Sequence, residues 1–205
     1  MKYHYMEQGT PEWYEIRKLK FTASNANTIL AMGKGVVTLI KQMLTEYYSS
    51  GQYEDYTAKY QNVHIKRGHE YEDKARQIYI LETGNTVTQV GFIETGEYEG
   101  CSPDGLVNED GLLEIKNLSD TAFVELVSTG KIEKKHLDQM QMQLYETGRK
   151  WCDYFAFNPN FTPCYFRKTV YPDIDVFERL TEALNSAKQR LLLEKERLDK
   201  ILKVA

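Results

Sequence analysis

The hydrophobic positions of the chain recur at helical spacing towards both of its ends. Residues 36–49 and about 67–83 carry apolar side chains every three or four positions, which is typical of amphipathic helices. Thr10-Pro11 is a helix start signal, and Ser24 is placed to cap a short helix. The longest apolar stripe predicts a final helix over about 175–202.

The middle of the chain has the shorter, alternating apolar runs of β-strands. Strands are predicted at 86–93, 97–101, 104–107 and 111–117, with Gly or Asp turns between them. Helices at 121–128 and 136–147 follow, and then strands at 152–158 and 163–170. A polar, tyrosine-rich connector is predicted at 52–62.

These elements predict a single α/β domain over residues 1–205, with a central mixed β-sheet flanked by helices. A helical part covers 10–84, a core of sheet and helices covers 86–171, and a C-terminal helix covers 173–203. The pattern contains no internal repeat and no linker that would divide the chain into two domains.

The overall composition excludes several classes of protein. The chain carries 26 Lys and Arg against 30 Asp and Glu, and this net charge of −4 excludes a protein that coats DNA by bulk positive charge. Cys101, Cys152 and Cys164 lack the spacing of a zinc ribbon, an iron–sulfur site or a disulfide framework. Without a signal-peptide pattern or a long apolar run, we expect a cytoplasmic protein that does not enter a membrane.

Charge is distributed unevenly along the chain. Residues 13–45 contain five Lys or Arg and one acid, whereas residues 92–125 contain nine Asp or Glu and a single base, Lys116. Within the acidic stretch, Asp104 lies in a Ser-Pro-Asp-Gly turn, and Glu114-Ile-Lys116 begins ten residues later. Nine acids around one lysine is the local anomaly that requires an explanation.

The alternation of side chains on a strand places Glu114 and Lys116 on one face, with Leu113 and Ile115 on the other, apolar face. A hairpin from 104 to 114 would bring Asp104 beside Glu114. Two carboxylates held so close repel each other and need a cation. Hard oxygen ligands suit Mg²⁺ or Mn²⁺, which polarises a phosphoryl group and lowers the pKa of a bound water.

In this arrangement the lysine orients or deprotonates the water, or neutralises charge on the reacting phosphate. The alternative interpretation is that Glu114 and Lys116 are solvent-exposed side chains on a strand without a functional role, and that Asp104 lies in an ordinary turn. Two acids and a lysine also recur by chance in charged proteins, so this motif alone does not decide the function.

Two neighbouring helices add polar candidates. Glu72 lies next to the apolar Tyr71, so it borders the buried face of its helix and can reach a metal site on an adjacent sheet. The alternative is that Glu72 is a solvated carboxylate that forms an ion pair with Arg76, four positions on. Gln139, Gln141 and Gln143 alternate with apolar residues in the next helical segment. If buried they need polar partners such as phosphate or water, and otherwise they are surface amides.

The order of these motifs resembles the YqaJ-type viral recombinase family, which includes the lambda-type exonucleases of the PD-(D/E)xK nuclease superfamily. The motifs are Trp13…Arg17…Thr-Ala-Ser24, R-G-x-x-x-E-x-x-A-R around Glu72, C-S-P-D-G, L-E-I-K, and Q-M-Q followed by T-G-R-K-W-C-D-Y. The resemblance extends from about residue 7 to 158. It implies a restriction-endonuclease-like core.

The resemblance also implies site residues. Asp104, Glu114 and the Ile115 carbonyl would bind Mg²⁺, for which Mn²⁺ would substitute, with Glu72 in support and Lys116 as the catalytic lysine. A second set would bind the 5′ phosphate of DNA. Its members are Arg17, Ser24, Ser102, Gln141 and Gln139, and the sequence leaves open which of the three glutamines faces the site.

The expected activity is a Mg²⁺-dependent phosphodiesterase that digests one strand of linear double-stranded DNA from a 5′-phosphorylated end. It would release 5′-mononucleotides and leave 3′ overhangs for recombination by strand annealing. The resemblance further implies a toroidal homotrimer, a phage single-strand annealing protein as partner, and a phage or prophage origin in a bacterial host. The alternative is a catalytically inactive module that binds DNA ends or other proteins.

Overall fold

Within the described residues the strands form two β-sheets. The computed structural model describes residues 1–49 and 63–202, with the backbone alone at 63–70, so the predicted connector at 52–62 lies outside the described residues. In chain order the strands are β1 (Lys2–His4), β2 (Phe21–Thr22), β3 (Val87–Thr88), β4 (Phe92–Gly96), β5 (Glu99–Cys101), β6 (Gly105–Val107), β7 (Gly111–Asn117), β8 (Trp151–Phe157) and β9 (Tyr165–Val170).

Helices lie before, between and after these strands. They are α1 (Pro11–Ile16), α2 (Ala26–Leu30), α3 (Lys34–Tyr48), α4 (Val63–Thr83), α5 (Asp120–Thr129), α6 (Lys134–Thr147) and α7 (Ile174–Asp199), with a 3-10 turn at Ala23–Asn25. The start signal at Thr10 is confirmed, because its hydroxyl accepts a hydrogen bond from the backbone N–H of Trp13.

The first sheet has the order β1-β4-β5-β2 and the second has the order β3-β6-β7-β8-β9. Each is mixed, since β2 pairs parallel with β5 and β7 pairs parallel with β8, while the remaining pairs are antiparallel. The predicted mixed α/β class is therefore confirmed. The strands are divided between two sheets rather than gathered in one, because residues 102–104 carry the chain from β5 in the first sheet to β6 in the second.

Two features of the N-terminal part differ from the prediction. β1 and β2 are only three and two residues long, too short to show alternation, and they exist because they pair with β4 and β5. The capping of a helix by Ser24 is wrong: Ser24 lies inside the 3-10 turn, and its hydroxyl oxygen lies 3.0 Å from Thr22 Oγ1.

Strand β7 is covered on both faces. On one face Leu113 and Ile115 pack with Tyr79 of α4 and Phe155 of β8. On the other face Glu114 lies beneath α6 with only 1% of its surface exposed. The alternative interpretation of an exposed Glu114 is therefore wrong, because a strand paired in parallel inside an α/β fold receives helices on both sides.

The last helix is long but amphipathic. α7 spans 26 residues and buries one stripe, which includes Leu180, Leu184 and Leu191. Over the range that the structure describes, none of the helices combines the length and the apolarity needed to cross a membrane.

A buried carboxyl group lies near the C-terminal end of α6. Glu146 is 7% exposed, its Oε2 accepts a hydrogen bond from the Thr95 hydroxyl, and its Oε1 has no partner within the described part of the chain. Burial raises the pKa of Glu146 to about 7; the Thr95 hydrogen bond opposes this rise, Glu99 adds to it, and Lys188 opposes it.

We expect Glu146 to make the protein less stable as the pH rises from about 4.5 to about 7. In this window the folded protein keeps a proton that the unfolded chain has lost, so the free energy of unfolding decreases with pH. Glu146→Gln removes that titration. The melting temperature of Glu146→Gln, relative to that of the parent, should therefore be higher at pH 8 than at pH 5. The increase should be roughly 2–4 °C for each kcal/mol of stability recovered.

Thermal unfolding of both proteins at the two pH values measures this gain. Glu178→Gln, at an exposed position of α7, is the control and should show none. An equal difference between Glu146→Gln and the parent at both pH values would contradict the prediction.

Candidate active site

The β6–β7 hairpin brings Asp104 beside the middle of β7. The Asp104 N–H donates to the Leu113 carbonyl at 3.0 Å, and the Ile115 N–H donates to Asp104 Oδ2 at 2.6 Å. Both bonds follow from the antiparallel register, in which Gly105 lies opposite Leu113. The hairpin predicted from the sequence is thus present, and the Asp104 carboxylate lies against the backbone next to Glu114.

Three side chains donate hydrogen bonds to the buried Glu114 carboxylate. Lys116 Nζ lies 2.5 Å from Oε1, Gln139 Nε2 lies 2.6 Å from the same oxygen, and Gln143 Nε2 lies 2.6 Å from Oε2. Removing a carboxylate from water costs several kcal/mol unless hydrogen bonds and an opposite charge replace the lost hydration. The two amides and the ammonium supply that replacement and fix the orientation of Glu114.

The charges of the site are mutually perturbed. Burial raises the pKa of Asp104 well above its usual value, the carboxylates of Glu114 and Glu72 raise it further, and Lys116 acts against them. For Lys116, burial works to lower the pKa, but Glu114 and Asp104 outweigh burial and raise it. Asp104 therefore stands in an excess of negative charge that the single ammonium does not cancel.

Helix α4 contributes Glu72 and Arg76. From the sequence, Arg76 was considered only as an alternative ion-pair partner of Glu72. Arg76 is 7% exposed, and its Nη2 lies 2.6 Å from Glu72 Oε1. Its Nε donates to the Asp104 carbonyl at 3.3 Å, and its Nη1 lies 2.5 Å from Asp73 Oδ1. Arg76 thus links α4 to the turn that carries Asp104. Its i+4 spacing from Glu72 was the available signal.

A cavity of about 510 Å³ lies beside Asp104 and gives solvent and ligands access to it. One wall comes from α4 and another from the segment that precedes α1. The lining residues are Tyr5, Met6, Glu7, Gln8, Glu72, Asp73, Arg76, Gln89, Val90 and Asp104.

The structure also brings together the predicted phosphate-binding residues Arg17, Ser102 and Ser24. Arg17 Nη1 donates to Ser102 Oγ at 3.0 Å, and Nη2 donates to Thr22 Oγ1 at 3.4 Å. Thr22 in turn lies 3.0 Å from Ser24 Oγ. Because Ser102 is two residues before Asp104, this cluster and the carboxylates share one short segment of chain.

The glutamines of α6 divide differently from the prediction. Gln139 contacts Glu114 and Lys116 rather than the Arg17 cluster. Gln141 points elsewhere: its amide donates to the Tyr171 carbonyl at 2.8 Å and accepts from the Asp173 N–H at 2.9 Å. In this structure Gln141 therefore lies away from the Arg17 cluster, and its role at a phosphate stays a prediction. The sequence left open which of the three glutamines faces the site, and the structure places Gln139 and Gln143 there, because their i+4 spacing puts both amides on the Glu114 side of the helix.

The donor set at Asp104 and Glu114 suits a hard divalent cation. Among the described residues, no group of three or more His, Cys, Asp and Glu side chains is arranged to hold a metal ion. Mg²⁺ needs fewer, since proteins bind it through one or two carboxylates while water and phosphate oxygens complete the shell. Burial raises the pKa of Asp104, the carboxylates of Glu114 and Glu72 raise it further, and a bound cation would act against these effects. These residues fit Mg²⁺ or Mn²⁺.

Solved structures with a similar fold include an alkaline exonuclease, LHK-Exo, from Laribacter hongkongensis. It matches with a TM-score of 0.79 and 29% identity over 94% of this chain and all of its own. A structure of LHK-Exo in complex with dAMP matches with a TM-score of 0.76 and 30% identity over the same shares, 94% and 100%. No curated protein sequence matches the chain.

A phage-related exonuclease from Haemophilus somnus 129PT shares the fold at 14% identity, with a TM-score of 0.58 over 89% of this chain and 98% of its own. The sequence model of the YqaJ-like viral recombinase domain matches residues 12–150, more than half of the 205 residues. That range contains Arg17, Glu72, Asp104, Glu114 and Lys116. The chain belongs to the YqaJ-like viral recombinase family.

Proposed function

We propose that this protein is a metal-dependent exonuclease that digests one strand of linear double-stranded DNA in the 5′→3′ direction. The observation that carries the proposal is the buried Glu114 carboxylate, oriented by three donors next to Asp104. Membership of a viral recombinase family and likeness to an alkaline exonuclease support a nuclease that acts on DNA.

The products we propose are 5′-mononucleotides and a duplex with a 3′ single-stranded overhang. The cavity beside Asp104, about 510 Å³, has room for a nucleotide. The similar LHK-Exo has been solved with dAMP, a nucleotide of this kind. Removal of mononucleotides from one strand would leave its complement unpaired, which is the substrate for strand annealing.

Asp104, Glu114 and the Ile115 carbonyl would bind the Mg²⁺ ion. When bound, the ion would supply a Lewis acid that polarises a phosphoryl oxygen and lowers the pKa of a coordinated water. Gln139 and Gln143 hold the Glu114 carboxylate in its orientation. Glu72 adds negative charge near Asp104 and is itself positioned by Arg76.

Lys116 would neutralise charge on the reacting phosphate or orient the attacking water. Its ammonium has three N–H donors, of which one contacts Glu114 at 2.5 Å and one contacts Gln139 at 3.3 Å. The third has no acceptor among the described residues. It is therefore available to a phosphate oxygen or to water.

The Arg17 cluster would bind the terminal 5′ phosphate and so set the direction of digestion. A guanidinium binds phosphate oxygens through two parallel charge-assisted hydrogen bonds, and the hydroxyls of Ser102 and Ser24 lie beside it. Since Ser102 directly precedes the turn of Asp104, a phosphate bound here would place the terminal nucleotide next to the carboxylates.

For the biological setting we propose recombination by strand annealing in a phage or prophage context, on the strength of the family membership. A toroidal homotrimer and a phage single-strand annealing protein as partner belong to the same proposal. A closed ring around the duplex would keep the enzyme on its substrate between successive cuts.

Removal of a catalytic charge should abolish nuclease activity without unfolding the protein. Asp104→Asn and Lys116→Ala should each lower kcat on 5′-phosphorylated linear duplex by about 100-fold or more, because Asp104 would hold the metal ion and Lys116 would neutralise charge that develops during phosphoryl transfer. Release of mononucleotides in Mg²⁺ measures this, and chelation should stop the parent enzyme completely.

Lys150→Ala is the matched control, since Lys150 is an exposed lysine paired with Asp110 at the other end of β7. It should retain the parent rate. An unchanged kcat in Lys116→Ala would remove Lys116 from catalysis. Binding of linear duplex without nucleotide release in any divalent metal would instead favour an inactive end-binding module.

Arg17→Ala should chiefly reduce the preference for a phosphorylated end. The ratio of kcat/KM for 5′-phosphoryl over 5′-hydroxyl duplex should fall by about tenfold or more, as expected when charge-assisted hydrogen bonds to an anion are lost. Arg197→Ala, an exposed arginine of α7, is the control. A ratio unchanged in Arg17→Ala would place the 5′ phosphate elsewhere.

A further inference from the structure

The Ser102 hydroxyl is held by two donors at once. Trp13 Nε1 donates to Ser102 Oγ at 3.2 Å, and Arg17 Nη1 donates to the same oxygen at 3.0 Å. A hydroxyl has two lone pairs and one hydrogen. With both lone pairs occupied, Ser102 has only its hydrogen left for a further bond, and no acceptor for that hydrogen lies within the described residues.

The same count of accepted and donated hydrogen bonds applies to the Thr22 hydroxyl, which also contacts Arg17. Thr22 Oγ1 accepts from Arg17 Nη2 and from Asn25 Nδ2, both at 3.4 Å. Thr22 is therefore the donor in its 3.0 Å bond with Ser24 Oγ. Ser24, which is exposed, keeps its own hydrogen for donation. The two serines beside Arg17 thus both present O–H donors.

Trp13 is the residue that fixes this polarity at Ser102. An indole N–H is a donor only, so it forces Ser102 Oγ to act as the acceptor in their bond. The indole shares the same hydrogen with the Gly91 carbonyl at 2.8 Å, so its contact with Ser102 Oγ at 3.2 Å is the longer branch of a bifurcated hydrogen bond. Its ring also lies under the Arg17 guanidinium, whose central carbon is 3.9 Å from the ring centroid.

We propose that Trp13 is a positioning residue that makes this cluster selective for a phosphate end over a hydroxyl end. It does so by turning the Ser102 hydrogen towards the ligand and by stacking against Arg17. A phosphate dianion offers acceptors only, which matches a site that offers donors only. A 5′-hydroxyl has no charge and brings a donor of its own. The inference rests on the proposed function of the Arg17 cluster.

The Trp13→Phe variant distinguishes the proposed positioning role of Trp13 from a role in packing alone. Phenylalanine keeps a ring that can stack on Arg17 but loses the N–H, so Ser102 regains a free lone pair. The ratio of kcat/KM for 5′-phosphoryl over 5′-hydroxyl duplex should fall by about three- to tenfold, the effect of one hydrogen bond. The rate on 5′-hydroxyl duplex should stay near that of the parent.

The chain offers a matched control in its other tryptophan. Trp151 begins β8 and packs its ring against Gly111, so Trp151→Phe makes the same chemical change outside the cluster. It should leave the end preference unchanged. Equal losses on both kinds of end in Trp13→Phe would show that Trp13 only supports packing and would overturn the proposal.

A double-mutant cycle with Ser102→Ala tests whether Trp13 acts through Ser102. Once the hydroxyl is absent, Trp13→Phe should cause little further loss of end preference, so the two effects should be clearly non-additive. Additive effects would contradict the proposal. If instead Arg17→Ala leaves the preference intact, the phosphate site itself is misplaced; if Arg17→Ala removes it while Trp13→Phe does not, only the present inference fails.

Discussion

The contact between a buried carboxylate on β7 and the amides of α6 determines how the candidate site is built. Glu114 is 1% exposed, and a lone carboxylate at that depth would cost several kcal/mol of stability. Gln139, Gln143 and Lys116 offset this cost by donating three hydrogen bonds. The same bonds fix the distance between helix and strand, so the stability of this layer and the geometry of the proposed metal ligands depend on one arrangement.

The short segment at 102–104 connects that arrangement to the second part of the site. It leaves the first sheet after β5, enters the second sheet at β6, and carries Ser102 and Asp104 two positions apart. Ser102 contacts Arg17, while Asp104 contacts the backbone of β7. In the proposed reaction, the first group would hold the terminal phosphate and the second would hold the scissile bond. The segment between them would set a distance that neither side chain can change alone.

The sequence was sufficient for the parts of the site that are local. The spacing from Asp104 to Glu114 and Lys116 predicted the hairpin, and helical periodicity predicted α4, α6 and α7 to within a few residues. Alternation could not reveal that the Glu114 face is covered, because a strand does not record which helix packs on it. The choice among the three glutamines was left open for the same reason, since only the packing of α6 decides which amides meet Glu114.

Anomalous diffraction from crystals soaked in Mn²⁺ tests the proposal that Asp104 and Glu114 bind a divalent cation. We expect a peak within about 2.2 Å of a carboxylate oxygen of each residue. We also expect that the peak is lost in Asp104→Asn crystals. A strong peak at other residues, or one that persists unchanged in Asp104→Asn, would contradict the proposal.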